Sequence, residues 1–134
     1  MNQTAKAKRF AELHVAGAPL LLYNAWDAGS AKSILDAGAK AIATSSWSVA
    51  AAQGFGDGEA IPIELAERIA GRIAATVDIP VTVDFEGGYS EDDGELAANI
   101  SRLLESCANS SAISNPWVNA IRTQRQHPAS LRSS

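Results

Sequence analysis

The chain has 134 residues, 46% of them hydrophobic and 19% charged, with a net charge of −4 at pH 7. That is the balance of a folded domain with a moderate core, and it gives no basic surface for nucleic acid. No apolar run approaches the roughly 20 residues of a membrane span, and "MNQTAKAKRFAELHV" lacks the apolar block and cleavage site of a secretory signal.

A single cysteine, Cys107, excludes an internal disulfide framework and fits a reducing compartment, so a cytoplasmic location without membrane association is expected. The charge is unevenly distributed. All 15 acidic residues lie at or before Glu105, which leaves residues 1–105 at −7, while Arg122, Arg125 and Arg132 give the remainder +3.

In chain order, Thr4 suits the N-cap of a first helix running to about Val15, with Phe10 and Leu13 inward and His14 near its end. "GAPLLLYNAWD" reads as a turn, a strand from Leu20 to Tyr23 and a polar loop from Asn24. "AGSAKSILDAG" is a short helix that Gly38 terminates. A second strand, Ala41 to Thr44, leads into a long loop, "SSWSVAAAQGFGDGEAI". Pro62 opens the next helix. There Ala66, Ile69, Ala70, Ile73 and Val77 form an apolar stripe opposed by Glu67, Arg68 and Arg72. The third strand is "PVTVDFEGGY". The last helix, "SEDDGELAANISRLLES", carries acids in its first turn and turns Leu96, Ile100, Leu103 and Leu104 inward.

A helix followed by three strand–helix units implies an α/β fold with a right-handed parallel sheet. A (β/α)8 barrel and an open doubly wound sheet both begin this way, and the leading helix favours the barrel. In either, ligands bind at the carboxyl ends of the strands. That rule selects Asn24–Asp27, Ser45–Glu59 and Asp84–Tyr89 together.

Asp84 and Glu86 are two apart on a segment read as extended, so both side chains should point the same way. Converging carboxylates repel unless a proton or cation lies between them. Oxygen ligands without His or Cys suit Mg²⁺, with Asp57 available as a third acid. The plainer alternative has Asp84 capping a neighbouring loop and Glu86 solvated. "TSSWS" offers hydroxyls and successive N–H groups that can receive a carboxylate or phosphate. "GFGDG" has no dinucleotide-binding spacing and reads as a flexible loop.

Three segments in order, "NAWDAGSAK", "AIATSSWSVAAAQGFGDGE" leading to "IP", and "IPVTVDFEGGY", resemble the isocitrate lyase/phosphoenolpyruvate mutase superfamily over about residues 8–105. The resemblance implies a (β/α)8 (TIM) barrel, oligomeric in its full-length form. It also implies that Mg²⁺, or Mn²⁺ in its place, holds a small 2-oxo or 2-hydroxy acid while a C–C or C–P bond is cleaved or rearranged through an enolate. On this resemblance Asp84, Glu86 and Asp57 fall on the metal shell. Ser45, Ser46 and Trp47 fall on the turn that holds the substrate carboxylate, and Asp27 matches the aspartate of the first strand's loop. Two residues depart from the family pattern. Glu86 is longer than the family's second aspartate, and Ser46 replaces a glycine, which would cost free energy wherever φ is positive.

A complete barrel needs roughly 250 residues, so residues 1–106 are expected to form its N-terminal portion, about three units and a leading helix. Residues 107–134, "CANSSAISNPWVNAIRTQRQHPASLRSS", contain no acid, no lysine and no strand-period run. They read as an atypical tail, disordered or from a foreign reading frame, in place of the family's catalytic loop. The catalytic residues are therefore not identified, and little or no lyase turnover is expected from this chain alone. Two alternatives stay open: an inactive fragment that needs a partner, and a flavodoxin-like module that binds a small ligand or metal.

Overall fold

The computed structural model describes residues 2–108. Within them five helices and three strands alternate: α1 (Gln3–Glu12), β1 (Tyr23–Ala25), α2 (Ala28–Asp36), β2 (Ile42–Thr44), α3 (Ser46–Ala52), α4 (Ile63–Thr76), β3 (Val81–Thr82) and α5 (Asp93–Ala108). Local chemistry sets most of the ends. Asn2, rather than Thr4, caps α1 by accepting from the Ala5 N–H. Asp27 and Ser30 form a capping box at the start of α2. Gly38, at φ 94°, ends that helix by donating to the Leu35 carbonyl, as its position in the sequence requires. Asp92 accepts from the Glu95 N–H at the start of α5.

The three strands form one parallel sheet in the order β1-β2-β3, with Tyr23 opposite Ile42 and Ile42 opposite Val81. The expected α/β class and parallel winding are therefore present. Ile42, Ile73 and Leu103 are the largest fully buried side chains; Ile42 and Ile73 belong to one core cluster and Leu103 to a second, between α4, α5 and Val83, with Val81 packed against both. Helices α4 and α5 pack so closely that a Cβ on Gly71 would lie 2.8 Å from the Ser106 carbonyl oxygen. Helix α1 is tied to the C-terminal ends of α4 and α5 by Lys6 Nζ donating to the Val77 carbonyl and Gln3 Nε2 donating to that of Cys107. Among the described residues, no helix is long and apolar enough to cross a membrane.

Several elements differ from the sequence reading. β1 begins at Tyr23, where the reading had the strand end. The segment read as one long loop after β2 opens with α3, because Ser45 accepts from the Ser48 N–H and three alanines continue the turn. The boundary drawn after Ser106 falls inside α5, where Cys107 is buried, and the rest of the expected tail, 109–134, lies outside the described residues. The apolar stripe of α4 contains Glu67, which was read as solvent-facing and is buried. The buried positions of α5 are Asn99, Leu103 and Cys107, whereas Leu96, Ile100 and Leu104, expected inward, are half-buried.

Candidate functional site

The carboxyl ends of the strands bring β2, α3 and the segment after β3 together. Thr44, the last residue of β2, is buried, and its hydroxyl accepts from the Asp84 N–H at 3.0 Å. Asp84 returns the link to α3: its Oδ2 accepts from both the Ser46 N–H (3.1 Å) and the Ser46 hydroxyl (2.9 Å). Its Oδ1 accepts from the Glu86 N–H at 3.1 Å. Asp84 therefore holds three pieces of backbone in register, which realises the capping alternative for this residue.

Glu86 does not continue an extended strand. β3 ends at Thr82, and Glu86 opens a turn with φ 53°, followed by Gly88 at 76° and Tyr89 at 62°. The expectation that Asp84 and Glu86 share a direction through strand alternation is thus incorrect, since a left-handed residue breaks the period of two. Both nevertheless line the polar rim of one small cavity of ≈ 20 Å³, with Thr44, Ser46 and Tyr89, while apolar side chains such as Ile61 and Ile69 line the rest. Glu86 and Tyr89 also line a surface depression of ≈ 400 Å³, with Gly58, Glu59, Gly87, Ser90 and Glu91. Glu86 stands between the two.

Its environment is unusual for a carboxylate. Burial pushes the Glu86 pKa above the ordinary range, and the charges of Asp57 and Glu59 push it further, against the opposing pull of the Glu59 and Gly58 N–H groups. Its Oε1 is buried without a hydrogen-bond partner. The same surroundings raise Tyr89 to about 12, chiefly through desolvation and then through the charges of Glu86, Glu59 and Glu67. Tyr89 is anchored by its N–H, which donates to Glu59 Oε1 at 2.9 Å.

The sequence-derived candidates divide. Asp84, Glu86 and Ser46 line one cavity, and Asp57 acts on Glu86 through its charge. Ser45 caps α3, and Trp47 is exposed on that helix. Ser46 lies in the first turn of α3, so the cost feared from replacing glycine does not arise, and its N–H and hydroxyl are directed to Asp84. Asp27 lines neither cavity. Hydrogen bonds from Ser30 and Gly29 hold its carboxyl below the ordinary value. Glu59 and Tyr89 close two of the segments selected from the sequence without being singled out there, and Asn99 was missed. Glu59, after Gly58, and Tyr89, after Gly87–Gly88, could have been found as positions beside strained turns.

A divalent cation is tested by the acceptors left over. Asp84 Oδ1 has accepted one donor and Glu86 Oε1 none, so each carboxylate retains an oxygen for a ligand. Among the described residues no three His, Cys, Asp or Glu side chains converge into a closed metal cage. Two carboxylates of an all-oxygen set fit a cation such as Mg²⁺, which keeps several waters.

The model of a family described as phosphoenolpyruvate phosphomutase matches residues 10–129. The chain belongs to that family. A crystal structure from Burkholderia cenocepacia J2315, provisionally described as a phosphonomutase, is 50% identical with a TM-score of 0.73, covering 75% of this chain and 41% of that one. Uncharacterised proteins from two Mycobacterium tuberculosis strains are 35% identical over 94 residues, 70% of this chain and 36% of theirs. The fold alone is shared with 2,3-dimethylmalate lyase, a member of the PEP mutase/isocitrate lyase superfamily, at 19% identity and TM-score 0.64, covering 78% of this chain and 36% of that one. This phosphomutase-family chain thus spans well under half the length of the relatives it matches.

Proposed function

We propose that the chain supplies the metal- and substrate-binding end of an Mg²⁺-dependent lyase or phosphonomutase acting on small 2-oxo or 2-hydroxy acids. The described residues would form the first three strand–helix units of a (β/α)8 barrel. The observation that carries this reading is Glu86: a half-buried carboxylate with an unpartnered oxygen, beside Asp84, on an acidic depression. An acidic lining repels an anionic substrate unless a cation stands between them.

Asp84 and Glu86 would hold the cation, with Mn²⁺ able to replace Mg²⁺, and Asp57 would add negative charge from the facing loop. When bound, the metal supplies Lewis-acid stabilisation for negative charge developing on a carbonyl oxygen. The protein's own residues do the positioning. Ser46 fixes the Asp84 carboxylate and Thr44 holds the Asp84 backbone N–H, so that little reorganisation is needed on binding. The Gly58 and Glu59 amides favour the charged form of Glu86, and the aromatic ring of Tyr89 packs at a tilt on Phe85, with centroids 5.3 Å apart.

A thermal melt with Mg²⁺, with pyruvate or oxaloacetate, and with both tests this. The metal should raise Tm by itself, and the oxo acid should raise it further only when metal is present. Stabilisation by the oxo acid in chelator would contradict the role given to the metal. The three hydrogen bonds accepted by Asp84 favour a second reading, in which it serves as a structural tie in an inactive chain. Asp84→Asn separates the two: on the first reading it keeps the fold and loses the metal response, and on the second the wild type has no such response.

A further inference from the structure

A polar network outside the site converges on its turn. Asn99, on α5, is 3% exposed, and its Nδ2 donates to the Gly88 carbonyl at 2.8 Å. Its Oδ1 accepts from Arg102 Nη2 at 2.8 Å, and Arg102 Nε lies 3.2 Å from Glu67 Oε1 on α4, an ion pair without hydrogen-bond alignment. Glu67 is almost wholly enclosed, whereas Arg102 is half exposed. An apolar residue at position 99 would complete the stripe with Leu103 and Cys107 and avoid desolvating an amide.

The peptide unit between Gly88 and Tyr89 is clamped at both ends. Its carbonyl is held by Asn99 from below, and its N–H by Glu59 from the facing loop. The same loop's Gly58 and Glu59 amides pull the Glu86 pKa down against its burial. The turn needs such restraint, because Glu86 and Tyr89 are non-glycine residues at positive φ, and strained residues of that kind persist only where their surroundings over-determine them. Gly88 adds a steric limit, since a Cβ there would lie 2.2 Å from Leu96 Cδ1 of α5.

We infer that Asn99 is a positioning residue for this site. It fixes the Gly88 carbonyl, and with it the left-handed turn that presents Glu86 to the cleft, while Arg102 and Glu67 lock its amide in the donating orientation. The part concerning metal rests on the function proposed above.

The test uses the 134-residue chain and two variants of α5. Asn99→Asp keeps an acceptor for Arg102 but cannot donate to Gly88. Leu103→Ala weakens the same helix one turn away without touching the turn. Mn²⁺ affinity is measured by titration, amide exchange at Tyr89 by NMR, and stability by thermal melting. Asn99→Asp should weaken Mn²⁺ binding by about tenfold or more, the usual scale for a residue that orients a metal ligand. It should also speed Tyr89 exchange beyond its change in global stability. Leu103→Ala should lower Tm and leave Mn²⁺ affinity unchanged.

Wild-type affinity and Tyr89 exchange in Asn99→Asp would overturn the inference, as would an equal loss of affinity in Leu103→Ala. If the wild-type chain takes up no Mn²⁺, the function proposed above fails by itself, and the Tyr89 comparison still decides: acceleration in Asn99→Asp alone supports the clamp, and no acceleration overturns it.

Discussion

At the scale of single residues, the two acids after β3 have different tasks. Asp84 accepts three backbone and hydroxyl donors and keeps acceptor capacity on Oδ1, whereas Glu86 keeps a buried oxygen without a partner next to other acids. Glu86→Gln should therefore raise the melting temperature of the metal-free protein, because it removes an uncompensated charge from a partly buried position. The same substitution should abolish the rise in Tm that Mg²⁺ gives the wild type, and paired melts in chelator and in Mg²⁺ check both effects.

Asp27 illustrates a candidate whose visible work is structural. Its side chain accepts from the Ser30 N–H at 2.7 Å, and Asp27→Ala should cost about 1 kcal/mol by denaturant unfolding, the ordinary worth of an N-cap. Because its folded pKa is depressed, the charged cap's contribution is complete above the ordinary aspartate range and is lost as pH falls through the depressed value. Asp27→Asn, which caps without titrating, should lack that acid-side loss.

At the scale of elements, helix contacts set the site's floor. Gly71 allows α4 to meet the α5 backbone, and Gly71→Ala should destabilise the protein by about 1–3 kcal/mol, since a Cβ would lie 2.8 Å from a carbonyl oxygen that cannot swing aside. Chemical denaturation measures this directly. The strand–helix alternation, the end of α2 at Gly38 and the acids after β3 were legible in the sequence because periodicity and turn chemistry are local. Other features were not. The Ser45 cap hid α3 among residues that also favour loops. The positive φ of Glu86 is not signalled by its own residue type, since glutamate ordinarily avoids the left-handed region. Glu67 and Asn99 read as solvent-facing or unremarkable because a buried polar residue is explained only by its partner, and Arg102 lies 35 residues from Glu67 in the chain.

At the scale of the whole molecule, the carboxyl ends of β2 and β3 meet at one small cavity, and Glu86 joins it to an acidic depression. β1 and β3 each have one parallel neighbour among the described residues, and in the proposed barrel both outer edges would be paired. The chain belongs to the phosphoenolpyruvate phosphomutase family and is 50% identical to the Burkholderia structure, of which it covers 41%. The cation is the central element of the proposed function. Isothermal titration of Mg²⁺ and Mn²⁺ into the wild-type chain and into Asp84→Asn tests it most directly. One saturable site in the wild type, lost in the variant while the fold is retained, is the expected result; no uptake by the wild type, or equal uptake by both, would contradict the account.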